Sequence, residues 1–329
     1  MDPQYSADFC QTNLPTCTTS SVNTNPSPVN NDVPSTFSND CDILKSIYSS
    51  LNISATWRNG SMKCCDDETI ICSTVDEVLR ITKINLSDKN IMGVLPNTIT
   101  SLTELKYLNI ENNQISGEIP ADIGNLVKLN TLDLAFNALT GTIPESIGTL
   151  SNLENLLLND NSFTGFIPAG VCSLIKLKNL SFDDNQLSGQ IPAEISNLTN
   201  LETLSLNNNS LDGTVPDLTN LKNLRYLILS MNKISYLVND IISYLSPNLI
   251  WLELNDNELQ GYIPEDIGNL KNLIYLNLGN NKITGKIPNT IGKLRLLENL
   301  VLDGNEISGI LPDHINTLSN LRTLKLDNN

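Results

Sequence analysis

Three sets of side chains in this 329-residue sequence could do chemistry: seven cysteines, a single histidine, and aromatic residues that recur at a nearly constant interval. Four cysteines fall close together, at Cys41, the adjacent pair Cys64 and Cys65, and Cys72. A metal site would call for a Cys-x2-Cys spacing or a nearby histidine, and neither is there. Adjacent cysteines rarely bond to each other, so the natural pairs are Cys41–Cys64 and Cys65–Cys72. Cys10 and Cys17 are then placed for a third, local bridge. Cys172 stands alone, is placed in the core-facing slot of the repeat where its counterparts carry Ile, and reads as a small buried hydrophobe. The histidine, His314 in Pro-Asp-His-Ile, has no Ser or Cys nucleophile converging on it. Carboxylates are plentiful, but they follow a flat polar pattern without an apolar pocket to separate their pKa values. No phosphate loop or metal motif occurs. These residues argue against an enzyme and call for no cofactor or metal.

The aromatics are more informative. Tyr226, Trp251 and Tyr275 occupy equivalent places in a repeat, with Ile228, Ile250 and Ile274 beside them. Aligning LxxLxLxxN puts its first position at Ile81, then at Leu105, Leu129, Leu153, Leu177, Leu201, Leu224, Leu249, Leu273, Leu297 and Leu321. The interval is 24 residues except for one of 23 followed by one of 25, so 81 to 321 spans ten periods. Within Leu129-Asn-Thr-Leu-Asp-Leu134 alternate residues take opposite faces of a short strand: Leu132 and Leu134 enter the core, while Thr131 and Asp133 face out. Successive strands then stack in parallel, about 4.8 Å apart. The third positions, from Lys83 and Tyr107 to Thr323, share one face, on which Tyr226, Trp251 and Tyr275 are neighbours. An exposed aromatic row offers apolar faces with polar edges, the kind of surface that binds a peptide or a carbohydrate.

The ninth position is Asn in nearly every coil (Asn113 to Asn305), with Lys89 in the first. Turned inward, its amide would satisfy backbone groups of its own turn and of the neighbouring coil. The second half of the repeat reads GxIPxxIxxL, as in Gly141 to Leu150: Gly permits close approach, Pro fixes the bend, and Ile and Leu close the core. No single repeat buries its apolar face, so stability must come from stacking neighbours. Two regions precede the array: a Ser/Thr/Asn/Pro-rich extended segment, 1–40, and a cysteine-bearing cap, 41–80, with a helix expected over Asp42 to Leu51.

A net charge of −16 and a pI near 4.4 argue against nucleic acid as a partner. The acidic stretch Asp133, Glu154, Asp160, Asp183, Asp184 and Glu202 reads as a solvated face. No run approaches the length of a membrane span, and the N-terminus has neither the basic start nor the apolar core of a signal peptide. N-x-[ST] sequons stand at Asn52, Asn59, Asn85, Asn179, Asn197 and Asn208 and, with the cysteines, suggest a secretory route.

The repeat LxxLxLxxNxLxGxIPxxIxxL, preceded by Trp57, Cys64-Cys65 and Cys72, resembles the plant-type leucine-rich-repeat family and its N-terminal cap over residues 41–329. Such arrays occur in receptor-like kinases, receptor-like proteins and polygalacturonase-inhibiting proteins. The resemblance implies an α/β solenoid, a right-handed superhelix with a concave parallel β-sheet, a second short sheet near GxIP, 3-10 segments on the convex side and a disulfide-bonded cap. Two departures stand out. The coil after Asn232 has lost GxIP, and the chain stops at Asp327-Asn328-Asn329, partway through a repeat. The leading expectation is a secreted or cell-surface scaffold that engages a protein, peptide or glycan through its concave face. The alternatives are head-to-tail self-association through the unfinished C-terminal coil, giving fibres, and inhibition of a cell-wall glycosidase. A flat ice-contacting face is disfavoured, because the sheet curves and its polar residues vary.

Overall fold

The computed structural model describes residues 39–53, 64–65 and 68–329. Cys10, Cys17, Trp57, Asn59 and nearly all of segment 1–40 lie outside the described residues.

Helix α1 (Asp40–Ser50) starts two residues before the helix read from the sequence. Its buried residues Ile43, Leu44, Ile47 and Tyr48 recur at three- and four-residue steps, forming the single apolar stripe with which a helix lies on a core. That stripe closes the open end of the first coil. Buried Asp40 fixes it there: one carboxylate oxygen accepts from Arg80 Nε and from the Ile81 backbone N–H, both at 2.9 Å. Disulfides Cys41–Cys64 and Cys65–Cys72 join the helix, the intervening chain and strand β1 (Ile70–Val75). Gly93 has φ +130°, and any side chain on it would meet the main chain of Ser50 and Leu51 at the end of α1.

Strand β1 pairs antiparallel with β2 (Val78–Asn85), and from β2 onward every pairing in the main sheet is parallel. This sheet has 12 strands, and from Tyr107–Asn109 to Thr323–Lys325 each coil adds one three-residue strand. A second sheet, from Met92–Val94 to Ser210–Asp212, has six strands, and a two-stranded continuation joins Thr284–Gly285 to Glu306–Ile307. The far side of most coils is a 3-10 turn, such as Glu145–Thr149. The Leu and Ile side chains between these layers are buried along the array up to the last coil, where Leu311 and Leu324 are exposed.

The ninth-position asparagines each make at least four hydrogen bonds. Asn185 Nδ2 donates to the carbonyls of Leu158 (3.0 Å), Phe182 (3.2 Å) and Asp183 (2.9 Å), while its Oδ1 accepts from Phe163 N (2.9 Å). The same pattern begins at Asn113 and reaches Asn329. The residue before each asparagine is left-handed, with φ near +50° at Asn112, Phe136, Asp160, Asp184, Asn208, Met231, Asp256 and Asn280. Asn and Asp tolerate that conformation best and predominate there.

The irregular coils rearrange the far side alone. In the coil shortened to 23 residues, no 3-10 segment forms between Asp212 and Leu221. In the 25-residue coil that follows, helix α2 (Val238–Tyr244) takes its place, burying Val238, Ile241 and Ile242. Tyr226–Ile228 and Trp251–Glu253 still pair in register. Cys172 is buried, but Val171 occupies the Ile slot of the repeat; Cys172 takes the next place, held by glycine in several other coils. Burial, then Glu194 and Glu145, pushes its thiol up to about 11, so it packs as an inert small side chain.

Asn185→Ala should strand one main-chain donor and leave three carbonyls without their cap. The expected loss is at least about 1–3 kcal/mol, the cost of an unsatisfied buried group. Urea unfolding of both proteins measures it, and an unchanged midpoint would contradict the role given to the ladder.

Candidate functional site

The concave sheet sets third-position residues side by side. Thr203, Tyr226, Trp251, Tyr275 and Asn299 are consecutive partners across five strands. The rings of Trp251 and Tyr275 lie parallel at 5°, with centroids 3.8 Å apart. Tyr226 continues the row, and the Arg225 guanidinium stands 5.9 Å from its ring centre. Ile228 lies two residues along from Tyr226. Ile250 and Ile274 sit at the entrance to the next two strands, and all three are half-buried. The six residues read from the sequence as a site are thus brought onto one patch of the sheet.

Glu253 belongs to this patch, although sequence reasoning did not single it out. The Trp251 indole N–H donates to one of its carboxylate oxygens at 2.9 Å, and Ser230 Oγ donates to the other at 3.3 Å. Burial, reinforced by Asp256, raises its pKa against the pull of these two donors. Tyr275 is pushed up to about 12, by burial first and then by Glu253, so its phenol stays neutral. The signal was present: a carboxylate two residues beyond a tryptophan shares its strand face.

Toward the N-terminal coils the same face is polar, with Lys83 Nζ lying 4.7 Å above the centre of the Tyr107 ring. Here the reading of an outward-facing Asp133 and a solvated acidic stretch needs correction. Asp133 and Asp183 are both buried, each 6% exposed. Asp183 is held by Ser181 Oγ (2.6 Å), Ser205 Oγ (2.5 Å) and Asn207 N (2.9 Å). Burial pushes it up to about 6; burial and the nearby Glu111 push Asp133 up to about 7. The remaining members are half-buried, and Glu154 pairs with Lys178 at 2.8 Å. Fifth- and seventh-position side chains crowd one another across strands, which alternation along one strand does not reveal.

Of the sequons, Asn52, Asn197 and Asn208 are exposed. Asn85 and Asn179 are half-buried on the main sheet, where Asn179 donates to Asn155. His314 is exposed in the far-side turn Asp313–Thr317. The sulfurs of Cys64, Cys65 and Cys72 lie within 4.8 Å of one another, but all three are in disulfides and supply no thiolate. Among the described residues no helix is long and apolar enough to cross a membrane.

Residues 136–249 match a family model described as a leucine-rich repeat region, and residues 80–139 and 247–307 match one described as leucine rich repeat. No curated protein matches the sequence. The structure is similar to the leucine-rich-repeat ectodomain of the plant membrane receptor kinase GASSHO1/SCHENGEN3 from Arabidopsis thaliana, solved in complex with CASPARIAN STRIP INTEGRITY FACTOR 2. The identity is 37% and the TM-score 0.71, over 75% of this chain and 30% of that one. It is similar also to the Arabidopsis receptor kinase HAESA, solved with the peptide hormone IDA and a co-receptor (28% identity, TM-score 0.70, 88% of this chain and 53% of that one). A plant ice-binding protein is a third likeness, 26% identical with a TM-score of 0.66, covering 83% of this chain and 96% of that one. The chain therefore spans about a third to a half of the receptor ectodomains it resembles.

The folded-state pKa of Asp133 lies above its ordinary value of 3.8, so folding favours the protonated acid. Its contribution to stability is full below about pH 4 and lost as the pH rises through about 7. Asp133→Asn, which keeps an acceptor for the Ala135 N–H, should match the parent in urea midpoint near about pH 4 and exceed it at about pH 8. A difference independent of pH would contradict the burial argument.

Proposed function

We propose, for a chain that belongs to the leucine-rich-repeat family and carries its plant-type repeat, that it is an extracellular ligand-binding scaffold whose concave sheet takes up an extended peptide at Tyr226, Trp251 and Tyr275. The observation that carries this reading is the Trp251–Tyr275 stack, set in register with Tyr226 and edged by Ile228, Ile250 and Ile274. Trp and Tyr contribute large contact areas at low entropic cost, and such residues dominate binding energy where they cluster. Similarity to ectodomains solved with a peptide hormone supports the ligand class. An extracellular location is supported by the two disulfides, which persist in oxidising compartments, and by exposed sequons at Asn52, Asn197 and Asn208.

The ice-binding likeness carries less weight. The second sheet does present a row of hydroxyls, Ser116, Thr140, Thr164 and Ser188. Each donates to a glycine carbonyl of the preceding coil, at 3.2–3.3 Å, but the row is broken at Asp212 and Gln260 before Thr284 and Ser308 repeat the bond.

Panning a random linear peptide library against the chain tests the proposal. Enriched peptides should bind with a Kd in the micromolar range and lose at least about tenfold in affinity on Trp251→Ala, as removal of a central aromatic anchor implies. The melting temperature of the variant should stay near the parent's, because the ring stands on the sheet surface. Peptides that bind the variant as tightly as the parent would overturn the reading.

A further inference from the structure

The two margins of the concave sheet differ in charge. At the second position of the repeat, where strands begin, cations alternate with carboxylates and pair with them: Lys178 with Glu154 at 2.8 Å, Arg322 with Glu298 at 3.2 Å. At the seventh and eighth positions, where strands end, the coils from Ser87 to Gly304 carry Asp88, Glu111, Asp160, Asp183, Asp184, Asp256 and Asp303, and no Lys or Arg. Among the described residues none of these carboxylates joins a salt bridge. Left-handed backbone at the eighth position accounts for Asn or Asp there. It does not account for charge, since Asn serves equally well at Asn112, Asn208 and Asn280. Nor does it reach Glu111 or Asp303.

Where this margin meets the aromatic row, one acceptor lacks a partner. Asn255 is 7% exposed, and its Nδ2 donates to Asp256 at 2.6 Å. Its carboxamide oxygen, in the same head group beside the same carboxylate, accepts no hydrogen bond. Asp256 also accepts from Asn280 at 2.9 Å, and Glu253 is turned toward the indole N–H of Trp251. Two carboxylates, an unsatisfied amide oxygen and a parallel pair of rings thus come together over two adjacent coils. Each asks for the same complement: a cation with several N–H donors and a flat face. An ammonium is a compact point charge, whereas a guanidinium offers five donors in a plane and stacks on aromatic rings.

We propose that Glu253, Asn255 and Asp256, with the Trp251–Tyr275 stack, form a subsite for an arginine side chain of the bound peptide. The proposal rests on the peptide-binding reading and adds the chemistry of one ligand residue. The guanidinium would lie against the rings, with its N–H groups toward Asn255 Oδ1 and the two carboxylates.

The test titrates the whole chain, at neutral pH and low salt, with acetylated tetra-arginine amide, tetra-lysine amide and tetra-citrulline amide. Citrulline keeps the shape of arginine without its charge. Tetra-arginine should bind and shift the indole N–H resonance of Trp251, with affinity at least about tenfold above that of tetra-citrulline and clearly above that of tetra-lysine, as loss of a charge-assisted hydrogen bond implies. Glu253→Gln with Asp256→Asn should remove about tenfold or more. Asp88→Asn with Asp303→Asn, an equal change of net charge elsewhere on the margin, should cost much less. Melting curves of both double variants establish that they fold; if the first does not, Asp256→Asn alone replaces it. Equal losses in the two double variants would reduce the effect to diffuse attraction by an acidic chain and overturn the proposal. Equal binding of the arginine and citrulline peptides would overturn it as well. If tetra-arginine fails while library peptides bind in a Trp251-dependent way, the arginine subsite falls and the peptide reading stands. If no peptide depends on Trp251, both fall.

Discussion

Each coil leaves its concave strand through a left-handed residue, and that turn points main-chain groups inward where no strand partner can reach them. The ninth-position carboxamide is the one side chain short enough to fit there, with two donors and an acceptor to distribute. Asn185 caps carbonyls of its own coil and of the coil before it while receiving an N–H from that preceding coil. Neighbouring coils are thereby tied at a fixed spacing from Asn113 to Asn329, and the leucines between them are buried as a consequence. Everything on the concave face inherits its spacing from this ladder, including the 3.8 Å stack of Trp251 on Tyr275.

The architecture was legible because a solenoid repeats one local solution. A 24-residue period, a Leu alternation and a recurring Asn name the strand, the core and the turn without reference to distant contacts. The register of Tyr226, Trp251 and Tyr275 followed from the same arithmetic. What escaped depends on neighbouring coils rather than on position within one. Asp133 and Asp183 occupy outward positions of their strands, yet side chains from adjacent strands enclose them. Glu253 drew no attention because its importance lies in a bond to Trp251 and in its proximity to Asn255 and Asp256. Cys172 was set one place off because Val171 fills the aliphatic slot more simply.

The irregular pair of coils shows how far the two faces are independent. Loss of one residue before Leu224 and gain of one after it are absorbed on the far side, where a 3-10 turn disappears and helix α2 forms. The strands on either side still pair Tyr226 with Trp251, and Asn232 and Asn257 keep their ladder bonds. Change in the far-side layer therefore leaves the concave surface in place. The converse also holds, since third-, fifth- and seventh-position side chains vary from coil to coil while the aliphatic positions do not.

That independence bears on the acidic groups of the concave face. A buried carboxyl such as Asp133 is held up to about 7 by burial and by Glu111, so at neutral pH it works against folding. Glu253 is raised for the same reasons, with Asp256 as its charged neighbour, and Asn255 leaves an acceptor unsatisfied beside it. In a globular core such groups would concentrate their cost on one cooperative unit. In a solenoid stability is close to a sum of coil and interface terms, so a few unfavourable groups are carried by many well-packed neighbours. The scaffold tolerates them, but tolerance alone does not gather them beside the only stacked aromatic pair among the described residues. Unfavourable polar groups that converge on an apolar patch are what a site looks like before its partner arrives, because binding then recovers what folding gave up.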